Sequence, residues 1–288
     1  MTKVKIVTDS TADLSEELVK ELGISVVPLS ITIDGETFLD RVDITPQEFL
    51  TKMKQAAELP KSSQPAVGHF VELYDQLGSD GSDVLSIHMT GGMSGTVASA
   101  ENAARLSESK VTVIDSMYIS RALAFQVVEA AKMAEAGFAL DEIVKRIEEI
   151  RKNSTLFVTV DTLENLVKGG RIGKGKALIG SLLNIKPIAS LQDGVYTPVS
   201  KVRSHAKIVK YLSEKFAEDV SDKTIKGVAI AQVDAAELAA NLKDAIKKLT
   251  GYADVDIVET TPVIGTHTGP GAIGFMYYAE VEEKKNDV

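Results

Sequence analysis

Residues 83–115 read DVLSIHMTGGMSGTVASAENAARLSESKVTVID, and this stretch decides the fold class. Its two ends, DVLSIHM and KVTVID, are apolar runs of strand length, and the segment between them is long enough for a helix. A strand, a helix and a strand in this order predict two parallel strands with a helix covering the sheet. The same alternation reaches back through ISVVPLSITI (24–33) to KVKIVT (3–8). The first half is therefore predicted to be an α/β unit with a mostly parallel sheet.

One helix start is explicit in the sequence ITPQEF (44–49). Thr45 suits the N-cap, Pro46 suits the first helical position, and Glu48 can reach back to the cap. Ile44 and Phe49 have the spacing of a hydrophobic staple. We therefore predict a helix that begins at Pro46.

The second half has a different rhythm. Asp193-Gly194 lies between the strand-like runs KPIASL (186–191) and VYTPVSKV (195–202), and this dipeptide favours a tight hairpin turn. We therefore expect a second α/β unit whose sheet is partly antiparallel. Because 288 residues exceed the usual size of one domain, we predict domains at 1–152 and 153–288, with a ligand bound between them.

Composition narrows the class of protein. Cysteine is absent, so disulfides and thiol chemistry are excluded. A net charge of −9 argues against a nucleic-acid partner, which normally needs a basic surface. No apolar run approaches the roughly 20 residues that span a bilayer, and the strand-like start lacks a secretory signal. We therefore expect a cytoplasmic protein without stable membrane insertion, ending in a frayed charged tail, EEKKND (282–287).

The histidines give no sign of a metal site. His69, His88, His205 and His267 include no pair at the close spacing that places two ligands on one helix or hairpin. We expect neither a metal nor a cofactor. His88 falls in a predicted strand, where a packing role is favoured. His267 falls in GTHTGPG (265–271), a predicted loop where its ring can either contact a ligand or serve the loop's own structure.

Three segments combine hydroxyl groups with glycine or proline: KSSQP (61–65), TGGMSGT (90–96) and GTHTGPG (265–271). Hydroxyls and the first N–H groups of a helix can bind an anion, and glycine lets the backbone approach it. The alternative interpretation is simple helix capping. GMSGT (92–96) also resembles the nucleophile elbow of hydrolases, but Thr96 stands where that motif needs glycine. The pattern favours recognition of a small anionic group.

Several short motifs in one order resemble the DegV family, whose members include the fatty-acid-binding subunit of bacterial fatty acid kinase. The motifs are VTDSTADL (7–14), SSQPAVG (62–68), MSGT (93–96), KGGRI (168–172), KPI (186–188) and IGTHTGPGAIG (264–274). The resemblance implies a Rossmann-like first domain, an α/β second domain, a carboxylate held between them and a buried acyl chain.

The resemblance also implies roles for residues. Ser62, Ser94, Gly95 and His267 fall on the network that binds the fatty-acid carboxylate, and Arg203 falls near it and is implicated in engaging the kinase. Relatives often carry threonine at the position of Ser62, and serine keeps the hydroxyl donor. The chain would then carry a long-chain fatty acid and present its carboxylate to the catalytic subunit of a fatty acid kinase, which forms the acyl phosphate.

Two other functions remain open from the sequence. One is a regulatory module that binds a small ligand without lipid. The other is a serine hydrolase that uses Ser94 and His267. The apolar segment ALIGSLLNI (177–185) is either a wall of the acyl pocket or ordinary core.

Overall fold

A computed structural model describes residues 3–178 and 185–281 of the chain. Most of ALIGSLLNI, residues 179–184, and the charged tail, residues 282–287, lie outside the described residues. The strands are β1 Val4–Asp9, β2 Ser25–Val27, β3 Ser30–Ile33, β4 Glu36–Leu39, β5 Lys61–Ser63, β6 Asp83–His88, β7 Val111–Asp115, β8 Ser154–Thr159, β9 Lys186–Gln192, β10 Val195–Val202, β11 Thr224–Val233, β12 Asp256–Glu259 and β13 Ala272–Glu280.

The α-helices alternate with these strands. They are α1 Glu16–Glu21, α2 Pro46–Gln55, α3 Val67–Gly78, α4 Thr96–Leu106, α5 Ser120–Glu135, α6 Leu140–Asn153, α7 Glu164–Lys168, α8 His205–Asp219, α9 Ala236–Thr250 and α10 Pro262–Thr268. Short 3-10 turns cover Ser10–Ala12 and Gly173–Leu178.

The first half contains the predicted parallel sheet. Its strand order is β2-β1-β6-β7, and every neighbouring pair is parallel. The carboxyl ends of β1 and β6 therefore meet at one edge, where open α/β sheets place their ligands. The polar turns after these two strands lie at that edge.

The second sheet has the order β10-β9-β8-β13-β11-β12. Within the described residues β11 and β12 pair in parallel, and the other neighbours pair antiparallel. Asp193 (φ 51°) and Gly194 (φ 72°) both adopt left-handed conformations between β9 and β10, as a tight hairpin turn requires. The α/β fold class and the partly antiparallel second sheet are confirmed.

A third sheet, with the antiparallel order β4-β3-β5, was not predicted. The run ISVVPLSITI is not one strand, because Pro28 and Leu29 separate β2 from β3 and the two strands belong to different sheets. Proline lacks the N–H that a continuous ladder needs. The segment KSSQP is expected to precede a helix, and α3 begins just after it at Val67, but Ser62 also lies on β5, which pairs with β3.

The predicted start of α2 is confirmed. Thr45 Oγ1 accepts from Glu48 N at 3.2 Å, and Glu48 Oε2 accepts from Thr45 N at 2.9 Å. Ile44 and Phe49 are both buried. The capping box therefore fixes where α2 begins, and this helix packs against α10.

One hydrophobic cluster extends through both halves of the chain. It joins Ile87 and Leu123 of the first half to Leu156, Val158 and Met276 of the second. We propose the domain boundary between residues 152 and 153, because the parallel sheet precedes it and the second sheet follows it. None of the helices that the structure describes is long and apolar enough to cross a membrane.

Candidate functional site

A cavity with a free volume of about 50 Å³ lies between the two halves of the chain. Most of its wall is apolar, and both halves contribute to it. The apolar residues include Leu29, Met89, Met93, Ile119, Val158 and Val263. Polar side chains also line it, among them Ser62, Ser94, Arg171 and His267. The cavity thus combines an apolar wall with a small group of donors.

These four side chains come from distant parts of the sequence. Ser62 lies on β5, Ser94 lies in the turn before α4, Arg171 follows α7, and His267 lies on α10. His267 was predicted in a loop, and that expectation was wrong. Thr261 caps α10 by accepting from Val263 N at 3.1 Å, so the local pattern repeats that of Thr45 and Pro46.

His267 reaches the site through Ser62. The distance between its Nε2 and Ser62 Oγ is 2.7 Å, while its buried Nδ1 has no hydrogen-bond partner among the described residues. Burial, and then the positive charge of Arg171, lower the pKa of His267 to about 4. The ring is therefore neutral near pH 7. With its proton on Nε2 it donates to Ser62 Oγ, which leaves the Ser62 hydroxyl proton free for a ligand.

Two buried carboxylates from the first half hold the start of α10. Asp13 Oδ1 accepts from Thr261 N at 2.9 Å, and Asp40 Oδ2 accepts from Thr261 Oγ1 at 2.7 Å. Burial raises the pKa of both carboxyls, that of Asp40 to about 6. The first half thereby fixes the helix that carries His267.

The end of α7 holds the other side of the His267 ring. A Cβ atom on Gly169 would collide with His267 Nδ1, so the backbone at Gly169 approaches the ring as only glycine allows. This close contact limits the positions that the imidazole can take.

Ser94 and Gly95 form the turn that starts α4. Ser94 Oγ accepts from Thr96 N at 3.2 Å and lies 2.8 Å from Thr96 Oγ1. Gly95 is the N-cap of α4, and a Cβ atom there would collide with the side chain of Gln64. Ser94 lines the cavity, whereas Gly95 is not among the described residues of its wall.

Arg171 was missed as a site residue by the sequence analysis. Its Nε donates to Met93 O at 3.0 Å and its Nη1 donates to Gly169 O at 2.7 Å. It therefore joins the turn before Ser94 to the end of α7 and adds a positive charge beside His267. The signal was present in KGGRI (168–172), where an arginine directly follows a pair of glycines.

A polar cleft of about 640 Å³ meets the cavity at the donors, because Ser62, Arg171 and His267 line both spaces. Lys61 and Lys168 lie on the wall of this cleft. On the apolar side, a further cavity of about 30 Å³ shares Ile119 and Val158 with the first one. The donors thus stand between an open polar cleft and two adjoining apolar cavities.

Arg203 lies apart from this cavity. It follows β10, is exposed, and precedes Ser204, which caps α8. It is not among the described residues that line the cavity or the cleft. Beside it in sequence, His205 Nε2 lies 2.8 Å from Asp161 Oδ1. The structure brings Ser62, Ser94 and His267 together and leaves Arg203 on the surface.

Ser94 and His267 are not arranged as the nucleophile and base of a serine hydrolase. His267 Nε2 is bonded to Ser62, and the Ser94 hydroxyl is bonded to Thr96. A serine nucleophile needs a base within hydrogen-bond reach, and Ser94 has no such bond to His267. Within the described ranges, His, Cys, Asp and Glu side chains form no group of three or more that could hold a metal ion.

Comparison with known proteins gives consistent results along the whole chain. The family model described as "Uncharacterised protein, DegV family" matches residues 3–280. A DegV domain-containing protein of Listeria monocytogenes is 42% identical over 281 residues, which cover 97% of this chain and 100% of that protein.

Solved structures agree with this result. A Thermus thermophilus structure, described as fatty acid binding of a DegV family protein, has a TM-score of 0.90 at 33% identity and covers 96% of this chain and 100% of its own. A Bacillus subtilis DegV structure, described as a fatty acid binding protein, has a TM-score of 0.89 at 32% identity and covers 97% and 100%. The chain described here belongs to the DegV family.

Proposed function

We propose that this chain binds a long-chain fatty acid and presents its carboxylate to the catalytic subunit of a fatty acid kinase. The observation that carries the proposal is the position of the donors. Ser62, Arg171 and His267 line both the apolar cavity and the open polar cleft. An acid bound there would bury its chain while its carboxylate stayed within reach of a partner.

The donor set fits a carboxylate. Ser62 can donate its hydroxyl proton, with the neutral His267 ring behind it, and Ser94 can donate a second one. Gly95 opens α4, whose first N–H groups favour an anion. Arg171 contributes a positive charge, which strengthens hydrogen bonds to a charged acceptor. We therefore propose Ser62, Ser94, Gly95 and His267 as the carboxylate site, with Arg171 as an addition.

The acyl chain supplies most of the binding energy in this proposal. At about 0.8 kcal/mol per buried methylene, roughly fifteen methylenes give about 12 kcal/mol before the costs of association. The two adjoining apolar cavities, which share Ile119 and Val158, mark where such a chain would lie once the surrounding side chains move apart. The similar structures that are described as fatty acid binding support the same ligand class.

The chain acts in this proposal as a carrier and the partner supplies the chemistry. A carboxylate oxygen would attack the γ-phosphorus of ATP held by the kinase, forming an acyl phosphate as ADP leaves. The exposed Arg203 would contact the kinase, since it lies outside the cavity. The setting would be the cytoplasm.

A reconstituted reaction tests the proposal. We expect acyl phosphate, trapped as a hydroxamate, only when the kinase subunit, ATP, the fatty acid and this chain are all present. Arg203→Ala should reduce acyl phosphate formation several-fold while acid affinity stays within twofold. Arg105→Ala, which removes an arginine near the other end of α4, should leave both unchanged. If the protein bound the fatty acid but no acyl phosphate formed with the kinase, the kinase partnership would be wrong. If Arg203→Ala lost acid affinity and acyl phosphate formation equally, the proposed role of Arg203 would be wrong.

A further inference from the structure

The side chain of Tyr196 lines the apolar cavity and has a hydroxyl that no described residue pairs with. Tyr196 lies on β10, is 1% exposed and lines the cavity. Its hydroxyl has no hydrogen-bond partner among the described residues. Burial alone raises the pKa of this phenol above its ordinary value. The cavity therefore contains a polar group that the protein itself does not satisfy.

Two other buried tyrosines do have partners for their hydroxyls. The hydroxyl of Tyr74 lies 2.7 Å from Ser86 Oγ, and that of Tyr277 donates to Asp219 at 2.6 Å. Because leaving a buried hydroxyl unpaired is unfavourable, phenylalanine would suit Tyr196 better if the ring only filled space. The unpaired hydroxyl therefore points to a ligand that completes it.

The ring of Tyr196 has little freedom to turn its hydroxyl elsewhere. A Cβ atom on Gly175 would stand 3.0 Å from its Cε1 atom and 3.1 Å from Ile172 Cδ1, which shows how closely the backbone packs there. Tyr196 also pairs with Leu191 in the β9–β10 ladder. The ring that lines the cavity is thus held in place.

We propose that the Tyr196 hydroxyl selects among acyl chains by donating a hydrogen bond to an acceptor on the chain. The acceptor is either the π face of a cis double bond or an oxygen substituent, and the hydroxyl favours chains that carry one over fully saturated chains. The inference rests on the proposed function, since it concerns the ligand of the same cavity. A saturated chain would leave the hydroxyl unpaired, as it is in the free protein, whereas an acceptor at the right position would supply its hydrogen bond.

Tyr196→Phe tests the inference with three groups of ligands. Dissociation constants are measured for stearic acid, for positional isomers of cis-octadecenoic acid and for positional isomers of hydroxystearic acid. We expect the variant to bind stearic acid with wild-type affinity, because the hydroxyl is unpaired in the free protein as well. At least one unsaturated or hydroxylated isomer should bind about fivefold more weakly to the variant than to wild type, because it loses a hydrogen bond, and which group it belongs to identifies the acceptor.

Tyr277→Phe is the matched control, because Tyr277 is equally buried but lies in a different hydrophobic cluster. It should lower the midpoint of thermal unfolding without changing the ratio of affinities between ligands. An unchanged ratio in Tyr196→Phe would overturn the inference. This includes an equal weakening of all the acids, which would assign the hydroxyl to the carboxylate. If wild type bound no acid at all, the proposed function itself would fail, and the two failures are therefore distinguishable.

Discussion

Two histidines, the buried His88 and the partly buried His267, are each bonded to a serine, yet their surroundings differ. His88 Nε2 lies 2.7 Å from Ser86 Oγ, and its Nδ1 lies 3.0 Å from Asp9 Oδ2. His267 Nε2 lies 2.7 Å from Ser62 Oγ, and its Nδ1 has no partner among the described residues. His88 is fully buried, whereas His267 lines a cavity.

This difference separates a histidine that holds the fold from one that is available to a ligand. Both nitrogens of His88 are used within the protein, and its ring packs edge-on against Phe70 at 5.1 Å between centroids. With its proton on Nε2, His267 leaves the Ser62 hydroxyl proton free for a ligand. A buried polar group with unused capacity beside a cavity is therefore the better indicator of a binding site.

The largest effect is expected on stability, when the hydrogen bonds of His88 to Ser86 and Asp9 are broken. His88→Ala removes both ring bonds and leaves the buried Asp9 carboxylate without one of its partners, so we expect a loss of about 3–5 kcal/mol in unfolding free energy. Urea denaturation measures it. His69→Ala, at an exposed position on α3, should change stability by less than about 0.5 kcal/mol. Comparable stability of both variants would remove the structural role of His88.

The next largest effect is expected on fatty-acid affinity, when a donor of the cavity is removed. Ser62→Ala, Ser94→Ala and His267→Ala should each weaken fatty-acid binding by about 1.5–3 kcal/mol, the value of a hydrogen bond to a charged partner. Fatty-acid binding should remain measurable because the acyl chain of the ligand is still buried. Ser63→Ala, at the exposed neighbouring position on β5, is the matched control for titration calorimetry. Wild-type affinity in all three variants would show that the donors only cap their own segments.

The pH dependence of folding isolates the His267 ring. Its folded pKa of about 4 lies below the ordinary value of 6.5, so the unfolded chain takes up the proton first as the pH falls. The stability that the neutral ring contributes is present above pH 6.5 and is lost toward pH 4.

Wild type should therefore lose about 1–2 kcal/mol more than His267→Ala between pH 7 and pH 5. Asp40, whose pKa is raised to about 6, favours the folded state as the pH falls through the same range. Because Asp40 is present in both proteins, its contribution cancels in the comparison. Urea denaturation at each pH measures the difference, and parallel pH curves would contradict the burial of the His267 ring.

The smallest effect comes from crowding the ring without removing it. Gly169→Ala places a Cβ atom against His267 Nδ1, and the displaced ring should weaken acid binding by about 1 kcal/mol. Gly68→Ala on α3 has nothing within 4 Å of the new atom and is the control. Unchanged affinity in Gly169→Ala would mean that the ring position does not matter for the ligand.

Local signals in the sequence predicted the fold well. The capping residues around Thr45 and the turn at Asp193-Gly194 act over a few neighbouring residues, and both are confirmed. The same local rule was available at Thr261-Pro262, but the seven-residue helix α10 was missed because the glycine-rich segment after it favoured a loop.

The site could be predicted only in part. Ser62, Ser94 and His267 were named through the family resemblance, since no local pattern indicates that these distant segments meet. Arg171 and Tyr196 depend on packing between the two halves, because each becomes meaningful only beside the cavity. The strand position of Ser62 depends on its pairing with β3, which sequence spacing alone does not reveal.

Mass spectrometry tests the central claim most directly. The chain is expressed in lipid-containing cells, purified and compared under native and denaturing conditions, alongside the His267→Ala and Ser63→Ala variants. We expect the native masses of wild type and Ser63→Ala to exceed the denatured masses by the mass of one long-chain fatty acid, with the acid recovered in the organic extract. His267→Ala should retain less of it. Coincident native and denatured masses for wild type, with no acid in the extract, would contradict fatty-acid binding by this chain.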